Sequence, residues 1–107
     1  MDISIQSIHF TADRKLINFV QDKVSKLSQY YDGIISGEVF LKLDKSESAT
    51  NKVAEIKLNV PGNDLYVKRQ CRTFEEAIDT GILAISRQIK RYKDKQRKPV
   101  KGVIGQV

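Results

Sequence analysis

Apolar and polar residues alternate in several short stretches of this chain and recur at helical spacing in two longer ones. Ile3 and Ile5 alternate with Ser4 and Gln6, which predicts a strand over residues 3–8. Thr11-Ala12-Asp13 offers helix caps, and Leu16, Phe19, Val20, Val24, Leu27 and Tyr31 fall on one face of a helix that Asp32-Gly33 should end. Val39, Leu41 and Leu43 alternate with Glu38, Phe40 and Lys42, predicting a second strand over 36–44. A polar loop over 44–52 follows. Ala54, Ile56, Leu58 and Val60 alternate with Glu55, Lys57 and Asn59 in a third strand. Pro61-Gly62-Asn63-Asp64 is a turn, because proline presets one dihedral and glycine accepts the next. In a fourth strand Leu65, Val67, Arg69 and Cys71 share a face opposite Tyr66, Lys68, Gln70 and Arg72. Thr73 with Glu76 three residues on matches a capping box. Phe74, Ile78, Ile82, Ile85, Ile89 and Tyr92 then mark a long second helix reaching about residue 96.

The expected fold is α+β, in the order β-α-β-β-β-α. One-sided alternation gives the four-stranded sheet a dry and a wet face, so both helices should cover the same face. The order of the strands does not follow from the pattern. At 107 residues the chain is one domain. No apolar run is long enough to span a membrane, and the N-terminus lacks the order of a secretory signal. One cysteine cannot form an internal disulfide, and with one histidine no Cys/His zinc set can be assembled. A reducing, cytoplasmic location is the economical expectation.

Charge sharpens this picture. From Ala84 onward there are eight cations and one acid, Asp94, a net of +7; the first 83 residues hold eleven basic and twelve acidic residues, a net of −1. A basic block beside a near-neutral body is the footprint expected of a polyanion-binding protein. At 100° per residue, Arg87, Arg91, Lys95 and Lys98 oppose the apolar stripe, and Lys90, Lys93 and Arg97 flank it. Lys23 and Lys26 edge the stripe of the first helix and would border a groove between the helices. Tyr30 and Tyr31 are expected to pack rather than to stack on bases. The wet sheet face mixes Lys57, Lys68 and Arg72 with Glu38 and Glu55, which reads as solvation.

Nothing resembles a catalytic set. His9 has no nucleophile motif beside it, Cys71 falls on the dry face as a small core residue, and no pair of glycines forms a phosphate loop. No enzyme activity, cofactor or metal site is expected.

Several pieces together carry a family resemblance. They are Phe19-Val20, Lys23, Lys26-Leu27 and Gln29-Tyr30-Tyr31-Asp32, then Val39, Leu41 and Lys45. Ala54-Glu55, Gly62, Ala77-Ile78-Asp79, Arg87-Gln88 and Lys93-Asp94-Lys95 complete the set. In this order and spacing the chain resembles the ribosome hibernation promoting factor family, which includes ribosome-associated inhibitor A (protein Y). The resemblance implies a double-stranded-RNA-binding-domain-like fold over residues 1–97; outside it, Pro99, Gly102 and Gly105 predict a flexible basic tail over 98–107. It implies binding to the small ribosomal subunit and its ribosomal RNA, in the channel for messenger and transfer RNA, with translation blocked by occupancy. Neither a membrane nor a small-molecule substrate enters this reading. The family's basic patch maps onto Lys23, Lys26, Arg87, Arg91, Lys93 and Lys95, with Lys90 adding a cation nearby. Ala84 stands where the family commonly has Lys, Ile17 where it can have a basic residue, and Thr73-Phe74-Glu75-Glu76 replaces an Asp-x-Tyr-x segment. The chain resembles short members, without the extra C-terminal domain of long ones. The alternatives that the residues leave open are a module for other structured RNA and a protein-interaction module that modulates transcription.

Overall fold

Strand β1 (Asp2–Ile8) leads into helix α1 (Arg14–Ser25), followed by β2 (Ser36–Leu43), β3 (Lys52–Val60), β4 (Asn63–Cys71) and helix α2 (Phe74–Gly105). The computed structural model describes the backbone of residues 1–45 and 48–105 and the side chains of residues 1–45 and 48–95. The element order is the one the alternation predicts. The sheet order is β1-β2-β3-β4, with β1 parallel to β2 and the other pairs antiparallel. A parallel first pair needs a crossover, and α1 supplies it.

Local chemistry sets the element ends. Asp13, in extended conformation, accepts from the Leu16 amide through Oδ1 at 2.8 Å and caps α1. The helix ends earlier than its apolar stripe suggests, at Ser25, and closes through a 3-10 turn over Lys26–Gln29. Gly33 does not terminate it by a left-handed conformation. Among the described residues only His9 (φ 66°) and Gly62 (φ 76°) have positive φ. Gly33 is needed for space instead, since a Cβ there would collide with the Tyr31 ring. Pro61-Gly62 forms the two-residue β3–β4 turn, with glycine in the position that demands positive φ. Thr73 caps α2 by accepting from the Glu76 amide at 3.0 Å; Glu76 reaches back to the Arg72 amide at 3.4 Å, one residue before the cap. Helix α2 extends past the expected residue 96 to Gly105, so the boundary expected between 97 and 98 falls inside it.

Both helices lie on one face of the sheet: α1 against β1 and α2, and α2 against β3 and β4. The core joins Val39, Leu41, Ala54, Ile56, Leu58, Val60, Leu65 and Val67 from the sheet to Val20, Val24, Leu27, Ile78, Ile85 and Ile89 from the helical side. Gly81 faces β3 so closely that a Cβ would sit 3.0 Å from Ile56 Cδ1. Phe10 stacks on Phe74 with centroids 4.9 Å apart. Tyr31 meets Tyr92 edge-on, and the Tyr92 hydroxyl donates to the Pro61 carbonyl at 2.6 Å, tying α2 to the β3–β4 turn. Cys71, expected in the core, is only half-buried at the margin, with Sγ 3.8 Å from Thr80 Oγ1. It packs against the edge of the core beside the first turns of α2.

The other sheet face is polar and in part self-paired. Glu55 receives Lys42 Nζ at 2.8 Å and the Tyr66 hydroxyl at 3.0 Å, and Lys57 lies 3.7 Å from Asp64. Val53 is buried on this face, where the register places Lys42 and Gln70 beside it. The Lys42 hydrogen bond, more than the Tyr66 one, holds the Glu55 carboxyl below its ordinary value of 4.5, against a smaller opposing effect of burial.

Two predictions follow from these contacts. Replacing fully buried Ile56 or Ile85 by Ala should cost about 2–5 kcal/mol in chemical denaturation, whereas Lys57→Ala should be nearly silent because its ion pair is exposed. The reverse pattern would mean that the β3 register is shifted by one residue. Because Glu55 has a depressed folded value, its contribution is complete above the unfolded value and is lost as pH falls through the folded one. Glu55→Gln should therefore cost less than about 1 kcal/mol near neutral pH and shallow the loss of stability in acid, read from urea midpoints across pH. An unchanged acid limb would remove Glu55 from that role.

Candidate nucleic-acid interface

Helix α2 is oriented by its buried stripe, so each of its cations has a defined direction. Ile78, Ile85 and Ile89 are fully buried and Tyr92 nearly so, while Arg87, Lys90, Arg91 and Lys95 are exposed and Lys93 is half-buried. The cations do not form one surface row. Arg87, Lys90 and Lys93 turn toward the end of the first helical segment, where they line a pocket with Tyr30, Ser86 and Ile89. Arg91 and Lys95 turn toward β4 and line a second pocket with Asn63, Leu65, Gln88 and Tyr92. Arg87 thus joins Lys90 and Lys93, although its spacing alone aligns it with Arg91 and Lys95. The side chains of Arg97, Lys98 and Lys101 lie outside those described.

Two polar contacts hold α2 in this setting. Lys93 Nζ donates to the Tyr30 carbonyl at 2.8 Å, where the 3-10 turn ends and unpaired carbonyls favour a cation. Gln88 brackets the β4 backbone: its Nε2 donates to the Tyr66 carbonyl at 2.8 Å and its Oε1 accepts from the Tyr66 amide at 3.3 Å. That pair occupies two polar groups of an edge strand.

On the first helical segment, Lys23 crosses to α2 and lies 3.4 Å from Asp79 Oδ1. Its ammonium also sits 5.5 Å from the Phe19 ring centroid. Lys23 is therefore partly neutralised and links the helices, a role its spacing did not reveal. Lys26 opens the 3-10 turn and is exposed. Tyr31 packs as expected, but Tyr30 does not: its side chain stands 54% exposed beside Arg87, Lys90 and Lys93. The signal was its position just outside the apolar stripe. The charges on the opposite sheet face are in part engaged with one another, which leaves the helical face as the more open concentration of positive charge.

His9 is exposed in the left-handed bend between β1 and α1. Among the described residues no group of His, Cys, Asp and Glu is placed to hold a metal ion, and no helix is long and apolar enough to cross a membrane.

Comparison with known proteins agrees with this architecture. Residues 3–97 match the family described as Sigma 54 modulation protein / S30EA ribosomal protein. The ribosome hibernation promoting factor of Escherichia coli K12 is 30% identical over 95 residues, covering 89% of this chain and 96% of the relative. That of Pseudomonas putida KT2440 is 24% identical over 102 residues, covering 95% and 96%. The N-terminal domain of Thermus thermophilus protein Y superposes with a TM-score of 0.74 at 25% identity, covering 86% of this chain and 99% of that domain. A ribosomal subunit interface protein from Coxiella burnetii shares the fold, with a TM-score of 0.79 at 15% identity over 88% of this chain and 99% of that one. The matched span runs from β1 through α1, β2, β3 and β4 and along α2 to residue 97, past Lys95, and the chain belongs to the Sigma 54 modulation protein / S30EA ribosomal protein family.

Proposed function

We propose that this protein is a ribosome hibernation factor that binds the small ribosomal subunit through the basic face of its two helices. The observation that carries the reading is the convergence of exposed Arg87 and Lys90 with half-buried Lys93 beside Tyr30, with Arg91 and Lys95 on the adjoining side of the same helix. The hibernation factors of E. coli and P. putida among its relatives support the partner. Lysine and arginine side chains replace counterions along ribosomal RNA, and arginine adds forked hydrogen bonds to phosphate. The folded body then occupies the channel of messenger and transfer RNA and excludes both. Lys26 extends the surface from the first helical segment, and Lys23 contributes through what its pairing with Asp79 leaves free. The mechanism is occupancy and requires no catalytic group or cofactor.

Sedimentation of the protein with purified small subunits, at several salt concentrations and against competing messenger or transfer RNA, tests this directly. About five phosphate contacts give a log–log salt slope of roughly −3.5 to −4.5. Replacing Arg87 and Arg91 together by Ala should weaken binding about tenfold or more and flatten the slope by roughly 1.5, without unfolding, because both side chains are exposed. Charge reversal at Lys68 and Arg72, on the opposite sheet face, should matter much less. Equal losses from both pairs would indicate diffuse attraction, and full binding by the Arg87/Arg91 variant would reject the surface. Binding of other structured RNAs without competition by messenger or transfer RNA would favour a general RNA module. A salt-insensitive association with a protein partner would favour the transcriptional reading.

A further inference from the structure

The geometry points to the pocket beside Tyr30 as a seat for a single unpaired nucleobase of the bound RNA. This rests on the reading of the two-helix face as an RNA surface and adds to it the kind of RNA element that is recognised. The pocket holds about 330 Å³, at the small end of the ~300–1,000 Å³ typical of ligand sites, so it suits one flat group rather than an extended chain. It is lined by the exposed Tyr30, the buried Ile89 and Ser86, together with Arg87, Lys90 and Lys93. An apolar, aromatic-walled hollow ringed by cations complements a ligand with an aromatic face and anionic flanks. A nucleotide has that pattern. A phosphate alone has no use for the ring.

The strand state of the RNA follows from the same geometry. In a duplex both faces of a base are covered by its neighbours, so only a base from a bulge, loop or single strand can lie on Tyr30. Lys93 has a second role, as a positioning residue. Its 2.8 Å bond to the Tyr30 carbonyl fixes the end of the 3-10 turn against α2 and so fixes where the ring stands. Stacking is tolerant of base identity, so the site recognises an unpaired base rather than a particular one.

The test compares a short RNA hairpin carrying one bulged adenosine with the same hairpin fully paired, for wild type, Tyr30→Phe and Tyr30→Ala. Wild type should favour the bulged hairpin by on the order of tenfold, from the stacking of one base. Tyr30→Phe should keep that preference because it keeps the ring. Tyr30→Ala should lose it while retaining wild-type affinity and salt slope for the paired hairpin. Both variants should melt like wild type, since the ring lies outside the core. Equal binding of the two hairpins by wild type, a preference that survives in Tyr30→Ala, or a loss in Tyr30→Phe as large as in Tyr30→Ala would each overturn the proposal. Sedimentation of wild type with small subunits separates the two ideas. A protein that sediments but ignores the bulge overturns the base pocket alone, and one that does not sediment overturns the ribosomal reading.

Discussion

The packing of the buried stripe of α2 on the dry face of the sheet is the constraint on which the rest of this structure turns, and Gly81 sits where that helix comes close to Ile56 of β3. A glycine inside a helix costs about 1 kcal/mol relative to alanine. Here it lets the helix approach a sheet whose Ile56 methyl would stand only 3.0 Å from any Cβ. That approach lets Ile78, Ile85 and Ile89 reach the dry face and seal it. The buried stripe sets the helix rotation, and with it the direction of the cations from Arg87 to Lys95. Three side chains hold the same setting farther along: Gln88 with two bonds to the Tyr66 backbone, Tyr92 to Pro61 and Lys93 to Tyr30. Core packing and surface electrostatics are thus two sides of one helix placement.

Charge is handled differently on the two faces of the molecule. On the open sheet face, Lys42 meets Glu55 and Lys57 meets Asp64, and Tyr66 adds a hydrogen bond to Glu55. Such pairs add little stability at a surface, but they leave little net field. On the helical face the cations outnumber nearby acids among the described residues, and Asp79 engages Lys23. Repulsion among like charges on one helix works against folding by a few tenths of a kcal/mol for each close pair. A polyanion laid across them would reverse that sign.

The similarity to relatives at 24–30% identity illustrates how little sequence such a fold demands. A dry face of branched aliphatic residues, two amphipathic helices and correctly placed caps are enough to specify the layers. Replacement of an Asp-x-Tyr-x segment by Thr73-Phe74-Glu75-Glu76 is absorbed because Thr73 still caps the helix and Phe74 stacks on Phe10. Ile17 and Ala84 are uncharged, so the exposed cations of α2 are Arg87, Lys90, Arg91 and Lys95, with Lys93 half-buried, among the described residues.

Periodicity alone determined the element order, the dry and wet sheet faces, the buried stripe of α2 and the concentration of positive charge after Ala84. Each depends on residues close in sequence: alternation for strands, three- and four-residue spacing for helices, capping side chains within one turn. Only the tertiary structure decided the strand order, the early end of α1, the half-exposed margin position of Cys71 and the division of the α2 cations between two sides. Those depend on partners distant in sequence. Lys23 finds Asp79 and Lys93 finds Tyr30 only when the helices lie side by side. Tyr30 shows the difference most clearly. A helical wheel puts it next to the core, and its ring becomes the wall of an open pocket because the 3-10 turn ends there and α2 passes beside it. Local spacing tells which face a side chain takes, and only packing tells what that face meets.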